Sequence, residues 1–130
     1  MGLDNGVSLK ILDVNSFKTI PSWLHKLALS DEYDILYWRK CWNIRRAILR
    51  YLGEKKGECY YELSTEDLHN IINIVKKLCT RKNWDESDSI WTYDEIKRNY
   101  KYNLRMARKT LRWLKKKPEN SYSLYFYDSY

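Results

Sequence analysis

The stretch DEYDILYWRKCWNIRRAILRYLG, residues 31–53, decides how the chain is read. By charge and spacing it is one long helix. Asp31, Glu32 and Asp34 stand where the positive end of a helix dipole favours acids, and Gly53 supplies a C-terminal stop. Between them Trp38, Cys41, Ile44, Ile48 and Leu52 recur at helical spacing as a buried stripe. Arg39, Asn43, Arg46 and Arg50 gather on the opposite side as a solvated face. Arg45 fits neither side, because it falls among Trp38, Trp42, Leu49 and Leu52. A guanidinium there must meet an acceptor, since an unpaired buried charge is strongly destabilising. Two acceptors fit: an internal Asp or Glu, which is the commoner arrangement, or the phosphate or carboxylate of a ligand gripped by both nitrogens.

Working outward, residues 7–11 alternate apolar with polar and predict a strand. Pro21 suits the first turn of a short helix reaching residue 29. Downstream, residues 58–63 predict a second strand with Cys59, Tyr61 and Leu63 on one face. Ser64 with Asp67, or Thr65 with its own neighbours, supplies a capping signal for a helix whose stripe is Leu68, Ile71, Ile72, Val75, Leu78 and Cys79. Residues 81–90 read as a polar loop. Thr92 and Glu95 form a second capping box at the start of the longest helix, over 92–117. Its core stripe is Tyr93, Ile96, Tyr100, Leu104, Ala107, Leu111 and Leu114, and Pro118 ends it. Residues 122–127 alternate again as a last strand. Strands near both termini around a helical centre predict an α+β fold, with three to four helices packed on a small sheet. The whole of 1–130 is expected to be a single compact domain.

Composition narrows the class of partner. The 130 residues contain six Trp and twelve Tyr against two Phe, and Tyr and Trp suit places where a ring meets solvent or a ligand. A formal charge of +7 favours phosphate-bearing or acidic partners. The three cysteines, Cys41, Cys59 and Cys79, are odd in number and widely spaced, so they read as small buried hydrophobes in a reducing cytoplasm rather than as disulfides. No run is long and apolar enough to span a bilayer and no signal-peptide pattern opens the chain, so the expected location is the cytoplasm, without membrane contact.

Catalytic chemistry finds little support. His25 and His69 lack partners at metal-ligand spacing, so no metal is expected. No glycine-rich phosphate loop is present, and no cofactor is implied. Glu95-Ile96-Lys97 matches the tail of a metal-dependent nuclease signature, but in the first turn of a helix the two side chains are not set to share a metal. The expectation is a binding protein rather than an enzyme.

Two constellations could bind. On the 31–53 stretch Arg39, Lys40 and Arg45 would hold phosphates, while Trp38, Trp42 or Tyr37 would stack a base. Asp4 or Asn5 would read a ribose hydroxyl or base edge. On the 92–117 helix Lys97, Lys101, Arg105, Arg108 and Arg112 line one flank, nearly all of one sign. That is either a solvated face or a surface that nucleic acid neutralises through counterion release. On the back of the same helix Tyr102, Met106 and Trp113 align, as core or as a surface for a second copy.

The opening Met1-Gly2-Leu3-Asp4-Asn5-Gly6, the Tyr37-Trp38-Arg39-Lys40 run followed by Ile44, and the ending Tyr125-Phe126-Tyr127-Asp128-Ser129-Tyr130 resemble a family of small phage and prophage proteins. Members open with Met-Gly-Leu-Asp and carry the Tyr-Trp-Arg-Lys block in a helix. They often have His where this chain has Arg45, and most have no assigned activity. The resemblance implies a viral protein in the host bacterial cytoplasm, with Asp4, Tyr37, Trp38, Arg39 and Lys40 at the matching positions. Small phage proteins without catalytic motifs often act by binding, and that analogy supplies two expectations. The leading one is counter-defence by capture of a nucleotide-derived host immune signal in the basic and aromatic pocket. The alternative is a nucleic-acid-binding protein, or an inhibitor of a host nucleic-acid-guided nuclease, that uses the basic flank of the long helix.

Overall fold

The computed structural model describes residues 4–29 and 32–129. Met1, Gly2, Leu3, Asp31 and Tyr130, which entered the readings above, lie outside the described residues. The chain runs β1 (Asp4–Ile11), α1 (Val14–Lys18), α2 (Ser22–His25), β2 (Ala28–Leu29), β3 (Glu32–Arg39) and α3 (Trp42–Leu52). It continues through β4 (Tyr60–Glu62), α4 (Thr65–Leu78), α5 (Tyr93–Leu114) and β5 (Tyr122–Ser129). The fold is α+β: a five-stranded antiparallel sheet in the order β2-β3-β1-β5-β4, with three long helices and two short ones. The strands from the two ends of the chain lie side by side at its centre.

One face of the sheet supplies the core. Val7, Leu9, Leu36, Trp38, Leu124 and Phe126 are buried against Ile44 and Ile48 of α3, Leu68, Ile71 and Ile72 of α4, and Leu104, Ala107 and Leu111 of α5. Both expected capping boxes form. Ser64 accepts from the Asp67 backbone while Asp67 accepts from that of Ser64, and Thr92 and Glu95 do the same. The core stripe of α5 is in place, with Tyr93 and Tyr100 half-buried at its edge.

The 31–53 stretch is not one helix. Residues 32–39 form strand β3, so the Tyr37-Trp38-Arg39 block is strand and not helix. Its alternation is hidden by a bulge. Val7 faces Leu36 and Ser8 faces Asp34, which leaves Ile35 as an extra, buried residue. Either side of the bulge the inward set is Tyr33, Leu36 and Trp38, and the outward set is Asp34, Tyr37 and Arg39. Lys40, at φ 52°, turns the chain left-handed and ends the strand. Cys41 then begins α3 without a side-chain cap, so no residue announces the break.

Other details differ from the sequence reading. Asp13 accepts from the Ser16 backbone and starts α1, a turn not anticipated. α2 stops at His25, short of residue 29. Cys59 is exposed, unlike Cys41 and Cys79, because it precedes the three paired residues of β4. Within the 81–90 loop Trp84 is buried and donates from its indole to the Trp91 carbonyl. Asn43, read as solvated, is buried with neither side-chain polar atom bonded among the described residues.

Candidate functional sites

The residues expected to grip a phosphate do not converge: Arg45 stands apart, while Tyr37, Trp38 and Arg39 line a small pocket of about 240 Å³ with Trp91. Arg45 is half-buried on α3, and its Nε and Nη2 donate to the two carboxylate oxygens of Asp128 at 2.9 and 3.0 Å. Asp128 is only 6% exposed and also accepts from Asn5 Nδ2 at 2.5 Å. Glu54 adds a more distant oxygen, 3.6 Å from Arg45 Nη2. The internal acceptor is therefore realised: Asp128 sits on the helix-facing side of β5, opposite Asn5 across the central strand pair. Trp38 is core, Trp42 is half-buried, and Asn5 is fully buried. Arg39 is exposed at the end of β3, and Lys40 is half-buried beside it. Arg46, at the surface, pairs with Asp88.

A concavity of about 730 Å³ forms a trough on the sheet face opposite the core. Beneath the Tyr127 ring that lines it, β1 carries Gly6, which has no side chain. A Cβ there would stand 2.3 Å from the Leu36 carbonyl oxygen and 2.5 Å from the Tyr127 hydroxyl. The Tyr127 ring therefore lies across β1, and its hydroxyl donates to Asp34 at 3.1 Å. Tyr37 crosses the same strand nearby and donates to Asp4 at 2.9 Å. Tyr125 meets Tyr60 edge to face, 5.6 Å between centroids.

Asp4 and Tyr37 thus do line one site, but its charge is the reverse of that expected. Asp4, Glu32 and Asp34 contribute carboxylates to the trough, whereas that of Asp128 points to the helix side and is held by Arg45. Burial raises the Asp34 carboxyl to about 6, against the lowering effect of the Tyr127 hydroxyl. Burial, then the neighbouring Glu32 carboxylate, pushes the Tyr125 phenol up to about 12. Tyr127 is raised further still, by burial and by the charge of Asp34. A surface like this repels phosphate and accepts hydrogen bonds.

The basic flank of α5 keeps the geometry expected of it. Lys97, Lys101, Arg105 and Arg112 are exposed and Arg108 is half-buried. From Lys97 to Lys117 every charged side chain is Lys or Arg. Among the described residues no ion pair neutralises any of the five flank cations; of the two acids on the helix, Asp94 is paired with Arg81 and Glu95 serves the Thr92 cap. Glu95 and Lys97 sit in the first turn, where Glu95 serves the cap. On the back of the helix Tyr102 is exposed, Met106 is buried and Trp113 is half-buried.

At the C-terminal end of the flank lies a cleft missed by the sequence reading. Pro21 and Trp23, at the start of α2, face Lys109, Arg112, Trp113, Lys115 and Lys116 across about 540 Å³. Lys109 Nζ stands 5.8 Å from the Trp23 ring centre, and Lys117 Nζ stands 5.1 Å from that of Trp113. Lys117 also donates to the Thr19 hydroxyl at 3.1 Å, which ties the end of α5 to the segment before α2. The only signal for this in sequence is the presence of two Trp.

Among the described residues no group of three His, Cys, Asp or Glu comes together as a metal site. No helix among them is long and apolar enough to cross a membrane. Comparison with family models, curated proteins and solved structures finds no match.

Proposed function

We propose that this protein is a binding protein for nucleic acid, which it holds by the phosphate backbone along the outer face of α5. The observation that carries this reading is the unneutralised cation ladder from Lys97 to Arg112. Successive members rise by roughly 4.5–6 Å along the axis, and the run to Lys116 covers on the order of 28 Å. Phosphates of a polynucleotide repeat on a comparable scale, so several can be contacted at once with release of their counterions. A single helix face presents such a ladder without further folding, which agrees with a chain in which no catalytic set was recognised.

Capture of a nucleotide-derived signal by residues 37–45 is the weaker reading. The donors of Arg45 that would face a phosphate engage Asp128, and Trp38 has no exposed face for a base. The likeness to small phage and prophage proteins favours counter-defence as the setting, with a guide or target nucleic acid of a host nuclease as the polymer that is masked.

The test is fluorescence anisotropy of labelled oligonucleotides across a salt series. Affinity should fall steeply with salt, with a log–log slope of about −3 to −4 for four or five contacted phosphates. Lys101→Glu combined with Arg105→Glu should abolish binding, whereas Arg39→Ala should leave it nearly unchanged. Binding that ignores salt, or that survives the double charge reversal, rules this reading out.

A further inference from the structure

The cleft between α2 and the end of α5 says which form of nucleic acid the helix face would hold. Duplex has no unstacked base to offer, and its backbone could be held by the cation ladder alone. The cleft adds something a duplex cannot use. Trp23 and Trp113 give it an aromatic, mostly apolar floor, and Lys109, Arg112, Lys115 and Lys116 rim it with cations. Both rings are half-buried against the core, and the ammonium groups that stand over them, Lys109 on Trp23 and Lys117 on Trp113, are on flexible side chains that a stacking base would displace toward its phosphates. The rings themselves are fixed in place rather than floating on the surface. The rim continues the ladder, since Arg112 belongs to both.

The depression, about 540 Å³, is open to solvent, so a base would rest on its floor rather than be enclosed. Aromatic rings stack on any base, with little regard for sequence, and a cationic rim accepts the phosphates on either side. A single-stranded polynucleotide satisfies floor and rim together, because flat bases and phosphates alternate along its one chain. The trough on the sheet face cannot substitute, because its carboxylates oppose a phosphodiester.

We infer that the Trp23–Trp113 cleft is a base-stacking site, so that the polymer held along α5 is single-stranded, with one base seated between α2 and the end of α5. The inference rests on the polyanion reading of α5 and names the substrate class of that surface. Trp113 is the contact residue to test first, since Arg112 beside it belongs to both the cleft and the cation ladder.

The experiment compares a single-stranded oligothymidylate with a blunt-ended, loop-free duplex of equal phosphate number, by anisotropy at one salt concentration, for the wild type, Trp113→Ala and Trp113→Phe. Wild type should prefer the single strand. Trp113→Ala should weaken single-strand binding on the order of tenfold, the size expected for one stacked base, and leave duplex binding within about twofold. Trp113→Phe should retain most single-strand affinity, because a ring remains to stack. Thermal melting of each variant reports whether the fold is intact, and Lys115→Ala/Lys116→Ala, at exposed positions, gives a second variant that does not touch the core. Equal loss on both ligands, or no loss on either, overturns the stacking site while leaving backbone binding by α5 in place. If the wild type binds neither ligand, the polyanion reading fails and this inference fails with it.

Discussion

Replacing Arg45 with Met tests whether this residue is structural. Met keeps the length of the side chain and its contact with the apolar neighbours, so the change removes chiefly the charge. Asp128 would lose both of its Arg45 hydrogen bonds while staying 6% exposed, and among the described residues only Asn5 Nδ2 would remain to it. Removing one partner of a buried pair costs about 3–5 kcal/mol, most of it the desolvation of the charge left behind. The remaining Asn5 bond and the 13% exposure of Arg45 argue for the lower end, about 3 kcal/mol. Against a total stability of about 5–15 kcal/mol, that is a large fraction. In chemical denaturation the midpoint should fall with an unchanged slope, and the melting temperature should drop by roughly 10 °C. Asp128→Asn in the Arg45→Met background should recover part of the loss, because the stranded charge is gone while Asn5 still finds an oxygen. Oligonucleotide affinity, measured below the melting transition, should be unchanged. A loss under about 1 kcal/mol, or a variant of full stability that no longer binds, would refute this account and return Arg45 to the role of ligand contact.

Gly6→Ala should destabilise severely, by about 3 kcal/mol or more. The new methyl meets the backbone carbonyl of Leu36, which cannot move without breaking the β1–β3 pairing, so Tyr127→Ala should rescue only part of the loss in urea denaturation. Asn43→Leu should stabilise by about 1–2 kcal/mol, since a buried amide with no partner is replaced by an apolar group; an unchanged or lower denaturation midpoint would show that the amide is satisfied in solution. Asp34 has a folded pKa of about 6, above its unfolded value near 4, so the folded state binds its proton more tightly. Its contribution is fully present below about pH 4 and is lost as pH rises through about 6. Asp34→Asn should therefore remove about 1 kcal/mol of pH dependence between those limits, allowing for partial solvent access, and a stability–pH curve unchanged by the substitution would count against it.

How much could be read in the sequence depended on how local the signal was. Both capping boxes and the stripes of α4 and α5 depend on residues three or four apart, and they form as read. The basic flank was legible for the same reason. Strand β3 failed because one bulged residue, Ile35, breaks the alternation that marks a strand, and the acids before it mimic a helix start. The turn at Lys40 has no glycine or asparagine to betray it. The site features that stayed hidden are pairings across long stretches of chain. Asp128 lies 83 residues from Arg45, and the Trp113 that faces Trp23 is on the last helix. Helical spacing revealed that Arg45 needed an acceptor, but only the register of β1 with β5 brings Asp128 beneath it.

Charge placement explains why a net charge of +7 misdirects when each basic residue is weighed alone. Arg45 has the geometry for a bidentate grip, yet Asp128 cancels its charge at contact distance. Arg46 is likewise met by Asp88 and Arg81 by Asp94. What acts at a distance is the charge left after such pairings, and it is segregated. Carboxylates collect in the sheet trough while the unpaired cations collect along α5. A polyanion approaching this molecule is repelled by the first surface and drawn to the second before any contact forms. The cations near the end of α5 gain in addition from the negative end of its helix dipole, which favours Arg112 and the lysines after it. The field therefore delivers phosphate to the same end of the helix at which Trp23 and Trp113 wait for a base. Reversing charge at Lys101 and Arg105 should slow association, whereas removing the Trp113 ring should speed dissociation, because steering sets the on-rate and close packing sets the off-rate. Stopped-flow anisotropy separates the two, and equal effects of both substitutions on the off-rate would mean that the charges act as contacts and not as a field.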